Sequence, residues 1–350
     1  MMKKKVSLIF LVSVFLVVGL FSANGLVQAA DVLKLTIAGF TPPGAGAIPS
    51  VTLDKYKEEL EKRTKGKIKI TVFHGGTLLH AKNMWEGLQK GVANMGSSCM
   101  AYTPGRFPLL ALVDLPHGFA NTAVSSRVLW DLYKKFEPEE FAAVKVLYLY
   151  TSGVGTDAGG IYSKFPVRSL EDLKGREIRA TGVGSKALEL LGATPVAMPM
   201  PEVYEALSKG IVEGVYTSFD PLKAYNHAEL VKYVTPAPNP TASFYVAMNY
   251  KTWNSLPPDI KKVLDDLGEE MSIWSGETFH KSALEGFRYA IEKEGCEAIT
   301  LSAEEKARWT KRFEPLINQY LADMKAKGLP GQAYLDELYL LKEKYEKIYK

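Results

Sequence analysis

Along Val32-Leu-Lys-Leu-Thr-Ile-Ala38 apolar and polar residues alternate, which predicts a half-buried strand that ends in the loop Gly39-Phe-Thr-Pro-Pro-Gly44. Val51, Leu53, Tyr56 and Leu60 then recur at helical spacing, predicting a helix over about 48–64 that stops at Gly66. The alternation continues with a strand at 67–73, a helix at about 81–90, a strand near 93–99 and a breaker at Pro104-Gly-Arg-Phe-Pro108. Helices follow at about 122–136 and 184–191, with strands at 145–151 and 195–200. Strand and helix in turn predict α/β units with parallel pairing. After Pro257-Pro258 the pattern changes to one helical stretch running to about 293, long enough to brace two α/β lobes. A strand at Cys296–Leu301 interrupts, Ser302-Ala-Glu-Glu305 has capping-box spacing, and helices run to the end.

The first residues carry a different pattern. Lys3, Lys4 and Lys5 precede an unbroken apolar run from Val6 to Leu20, and small residues flank Gln28 where a signal peptidase reads. The run is shorter than the roughly 20 residues a membrane span needs, which disfavours an uncleaved anchor. Residues 1–29 are therefore expected to be a cleaved signal peptide and the mature chain to be a periplasmic protein. The formal charge of +4 falls to +1 without the three leader lysines. Aromatic residues are not interleaved with basic clusters, which excludes nucleic acid as a partner. Two cysteines, Cys99 and Cys296, are too few for a disulfide framework. Export permits one bridge between them, while the apolar setting of each also suits a packed free thiol.

Candidate chemistry is sparse. Gly182-Val-Gly-Ser-Lys-Ala187 fits a dinucleotide-binding spacing, with Glu202 about 20 residues on. Its preceding strand is charged and lies mid-chain, which argues against that use. No Gly-x-Ser-x-Gly elbow is present, and the five histidines never pair at metal-ligand spacing, so neither a hydrolase nor a metal site is expected, and no cofactor. What remains is Arg179, at the end of a strand where Val or Ile would be usual and just before a Gly-containing turn. A planar, always-charged fork placed there suits a two-point grip on a carboxylate. Arg176 falls on the other strand face. Polar and aromatic residues at other strand ends, where open α/β sheets bind ligands, complete the candidate site: Phe40, Thr41, Cys99, Tyr102, Met200, Thr217, Phe219, Asp220, Ser243 and Tyr245.

Three segments together carry a resemblance: Asp172-Leu-Lys-Gly-Arg-Glu-Ile-Arg179, Gly192-Ala-Thr-Pro-Val-Ala-Met-Pro-Met-Pro-Glu-Val-Tyr-Glu-Ala-Leu207 and Gly210-Ile-Val-Glu-Gly-Val215. The chain resembles, over essentially its whole mature length, the periplasmic solute receptors of TRAP (tripartite ATP-independent periplasmic) transporters. The resemblance implies an α/β, two-lobed periplasmic-binding-protein-like fold with the ligand cleft between the lobes. Lobe I would comprise 31–154 plus 244–282, lobe II 155–243 plus 283–340, and 341–350 a C-terminal helix end. It places the ligand-pairing arginine on Arg179, the cover over the ligand on Met200 and a polar contact on Thr217. A second arginine of sialic-acid-binding members would fall near Asp157, and an acidic contact of those members on Cys99, so sialic acid is disfavoured.

The reading is a non-enzymatic receptor that captures an organic acid anion and delivers it to an ion-gradient-driven permease. The alternatives are an exported α/β enzyme acting on a small carboxylic acid and a receptor of the ABC type. One arginine among apolar neighbours favours a monocarboxylate, with a C4-dicarboxylate as runner-up if Lys186 or Arg106 supplies a second charge. A monomer is expected.

Overall fold

The computed structural model describes residues 32–44, 46–155 and 158–349; the expected leader and Asp157 lie outside them. Eleven strands run in chain order: β1 Leu33–Gly39, β2 Ile68–Phe73, β3 Met95–Cys99, β4 Val144–Thr151, β5 Gly159–Ser163 and β6 Glu177–Ala180. They continue with β7 Thr194–Ala197, β8 Gly214–Ser218, β9 Tyr233–Pro236, β10 Ser243–Asn249 and β11 Glu297–Ala298. The strands form two sheets, ordered β2-β1-β3-β10-β4 and β11-β9-β5-β8-β6-β7. Each sheet is the centre of one lobe, and the two-lobed α/β arrangement expected from the sequence is the one observed.

Pairing is parallel where a helix joins neighbouring strands, as in β1 with β2 and β3, and β6 with β7 and β8. It is antiparallel at β10, between β3 and β4, and at β5, between β8 and β9. The expectation of parallel pairing fails there for a simple reason. β5 and β10 each follow a crossing from the other lobe and so enter their sheet from the cleft side. The two crossings hold one another: Ser152 N–H donates to Ala242 O at 2.8 Å, and Thr241 Oγ1 donates to Ser152 O at 2.8 Å.

The long helix is Pro258–Glu292, close to the expected span. It packs on β4 and the helix Thr122–Phe136 of the first lobe, then on the short helix Asp220–Ala224 of the second. The contact is too close for side chains. A Cβ on Gly276 would stand 2.6 Å from Ser126 Oγ, and one on Gly286 would stand 2.1 Å from the carbonyl oxygen of Phe219. At the C-terminal side, Ser302 Oγ accepts from Glu305 N–H and opens the helix Ala303–Ala326, which packs on the second-lobe helix Val183–Leu191.

Two expectations need correction. The strand expected at Cys296–Leu301 shrinks to Glu297–Ala298, an edge pair with Tyr233 and Val234. The helix Gly331–Glu346, expected largely in lobe II, returns to lobe I, where it packs on Thr122–Phe136 with Tyr334 stacked on Phe136 at 4.1 Å. Its buried stripe of Tyr334, Leu335, Leu338 and Leu341 finds its apolar partner there and not on the second sheet.

Candidate functional site

Arg179 is carried by β6, paired through the backbone with Val196 on β7 and Val215 on β8, and is only 2% exposed. Its Nε and Nη2 donate to the carbonyl of Met198 at 3.0 and 2.8 Å, which holds the guanidinium plane at the sheet edge. Among the described residues no carboxylate forms an ion pair with it. A buried charge without a counter-ion is costly, and a bound anion removes that cost.

Arg179 faces a cavity of about 40 Å³ enclosed by both lobes. The first lobe contributes Phe40, Thr41, Pro49, Cys99, Tyr102 and Phe244; the second contributes Thr181, Met200, Thr217, Ser218, Asp220, Pro221 and Tyr225. Ser152 and Ala242 come from the crossings and Phe279 from the long helix. Aromatic rings build the first-lobe wall. Phe40 meets Tyr102 edge-on at 5.5 Å and stacks on Phe244 at 6.4 Å, and Phe244 stacks in turn on Tyr150 at 5.2 Å. The lobes touch across the cleft where Met200 N–H donates to Tyr102 Oη at 3.1 Å, and Lys82 pairs with Glu202 at 3.4 Å.

The polar groups here are buried and shifted. Burial pushes the Tyr102 hydroxyl up to about 12, against the pull of Arg179. Burial, with Asp114 adding to it, pushes the Cys99 thiol up to about 12, so Cys99 is an inert polar lining and not a nucleophile. Asp220 accepts from Ser218 Oγ, and burial raises its carboxyl to about 7. Both cysteines are free and buried.

Of the candidates read from sequence, Phe40, Thr41, Cys99, Tyr102, Arg179, Met200, Thr217 and Asp220 come together at this cavity. Phe219, Ser243 and Tyr245 do not. Phe219 points into the second-lobe core against Phe287, at 5.6 Å. Ser243 stands one layer back, its Oγ donating to Asp114 Oδ1 at 2.6 Å. Tyr245 belongs to an aromatic cluster with Trp85, Phe107 and Phe141 on the far face of the sheet. The residue between them, Phe244, is the one that lines the cavity. Its cross-strand partner is Cys99, and directly paired residues share a face, so the parity was available from the pairing but not from the sequence. Arg176 is half-exposed, paired with Glu213 at 2.8 Å and stacked over Phe165. Arg106 lies over Trp85 and Lys186 over Tyr320; neither lines the Arg179 cavity.

A cavity closed between two α/β lobes, with a buried arginine as its one unpaired cation among the lining residues, defines a two-lobed solute-binding protein. Residues 48–323 match the family described as bacterial extracellular solute-binding protein, family 7. A TRAP periplasmic solute-binding protein from Desulfovibrio salexigens is 42% identical, with 90% of this chain and 97% of that one covered and a TM-score of 0.78. That structure is an open complex with the C-terminus of a symmetry mate in its ligand-binding site. A marine-metagenome TRAP protein specific for aromatic acids, in complex with meta-hydroxyphenylacetate, is 26% identical over 89% of this chain and 99% of its own, with a TM-score of 0.83. The C4-dicarboxylate-binding protein of Bacillus subtilis is 25% identical over 81% of this chain and 80% of its own. The chain belongs to the family 7 solute-binding proteins of TRAP transporters.

Proposed function

We propose that this protein is a periplasmic, monomeric receptor that captures an organic acid anion through its carboxylate on Arg179 and delivers it to an ion-gradient-driven permease. The observation that carries the reading is the buried guanidinium, pinned on one edge by Met198 O and facing a cavity between the lobes. Thr217, Thr181 and Ser218 supply neutral polar contacts beside it. Phe40, Tyr102, Phe244, Phe279 and Met200 supply an apolar surround for the carbon next to the carboxylate. Arg179 is the one cation among the lining residues, so a second carboxylate buried there would lack a partner and a monocarboxylate is favoured. Relatives described as binding aromatic acids and C4-dicarboxylates make both classes natural probes.

A thermal-shift panel tests this. Stabilisation by benzoate, hydroxyphenylacetate or branched 2-oxo acids, with the acid recovered unchanged after incubation, is the expected result. Stabilisation by succinate or malate alone replaces the monocarboxylate with the dicarboxylate. A chemically altered acid replaces the receptor with an enzyme.

A further inference from the structure

The Arg179 cavity, at about 40 Å³, has room for a few water-sized groups and not for a whole organic acid. Beside it lies a second cavity of about 770 Å³, within the range of small-molecule sites. The two share Tyr102 and Thr181 in their linings, so they meet at these side chains. The larger one also lies between the lobes, with Met100 and Pro104 from the first, Val183 and Met198 from the second, and Met324 from the helix Ala303–Ala326. Its walls hold two buried hydroxyl oxygens without a hydrogen-bond partner, Thr103 Oγ1 and Ser185 Oγ. Asp114 and Asp323 are also in its wall, as are Lys82, Lys186 and Lys327.

We infer that the ligand is an elongated amphipathic monocarboxylate, whose head sits on Arg179 and whose body runs past Tyr102 and Thr181 into this larger cavity. The inference rests on the carboxylate–Arg179 reading and adds the length and polarity of the body. The unpartnered hydroxyls meet one polar group along it, and Met100, Pro104, Val183, Met198 and Met324 take its apolar carbon.

Calorimetry with a series of ω-phenylalkanoates, from phenylacetate to phenyloctanoate, tests it. In the wild-type protein affinity should rise about threefold to fourfold with each of the first methylenes, the gain expected for burying one. Ala111→Phe and Ala197→Phe, which fill the cavity from opposite lobes, should remove that gain and weaken the long acids far more than phenylacetate. An affinity that falls from phenylacetate onward, or filling variants that weaken short and long acids alike, overturns the inference. Arg179→Ala separates the two claims: if it leaves phenylacetate binding unchanged, the anchor itself is wrong. If it abolishes binding while wild-type affinity ignores chain length, only the extension is wrong.

Discussion

Two buried charges dominate at the scale of single residues, and they differ in sign and in fate. Arg179 stays charged, so removing it leaves the ligand carboxylate without a partner. Arg179→Ala should lower affinity by about 30-fold to several thousand-fold, the equivalent of roughly 2–5 kcal/mol, with the melting temperature of the unliganded protein little changed. Arg179→Lys should also be impaired, because a point charge cannot hold Met198 O and a carboxylate with one planar fork. Calorimetry showing less than a fivefold loss for the alanine variant would remove Arg179 from the role. Asp220 behaves oppositely. Its carboxyl is raised from 3.8 to about 7 by burial, so the folded protein binds its proton more tightly than the unfolded chain does. Its contribution to stability is complete below pH 3.8 and is lost as pH rises through about 7. Asp220→Asn keeps an acceptor for Ser218 Oγ and removes the charge. Its melting temperature should match wild type near pH 4 and exceed it at pH 8; a constant difference across that range would refute the assignment.

At the scale of elements, the helix Pro258–Glu292 ties the two lobes together through glycines. Alanine is normally the better helix residue by about 1 kcal/mol. At Gly286 it should nevertheless destabilise, since its Cβ would lie 2.1 Å from the backbone oxygen of Phe219, which cannot rotate away. Urea denaturation of Gly286→Ala should show a net loss of about 1–3 kcal/mol. A gain would mean that the helix and the second lobe slide apart freely. This helix was legible in the sequence because its start at Pro257-Pro258 and its unbroken length are local signals. The placement of Gly331–Glu346 was not, because an amphipathic stripe announces that it needs a partner without naming one.

For the whole molecule, the working motion is expected to be closure of the lobes. The bond from Met200 N–H to Tyr102 Oη and the Lys82–Glu202 pair join the lobes directly. Opening the cleft would break both, so they would favour the closed state alone. Tyr102→Phe should weaken binding by about twofold to tenfold, the effect of one hydrogen bond of roughly 0.5–1.5 kcal/mol. Small-angle scattering should show a smaller radius of gyration in saturating phenylacetate than without it. Superimposable curves would rule out a hinge at the crossings on either side of Ser152 and Ala242.

The strand–helix alternation of the first 150 residues, the long brace and the place of Arg179 at a strand end followed from the sequence alone. Each is local: periodicity, proline and glycine stops, and a charge where a buried strand should be apolar. Which side of β10 meets the ligand was decided only by tertiary structure. All seven of its residues, Ser243–Asn249, are buried, so no polar face marks the inside, and alternation leaves Phe244 and its neighbours Ser243 and Tyr245 equally eligible. The same holds for Phe279, which enters the cavity from a helix buried by both lobes, and for Phe219, which leaves it. A sequence records that a side chain must be covered; the packing of distant elements decides what covers it.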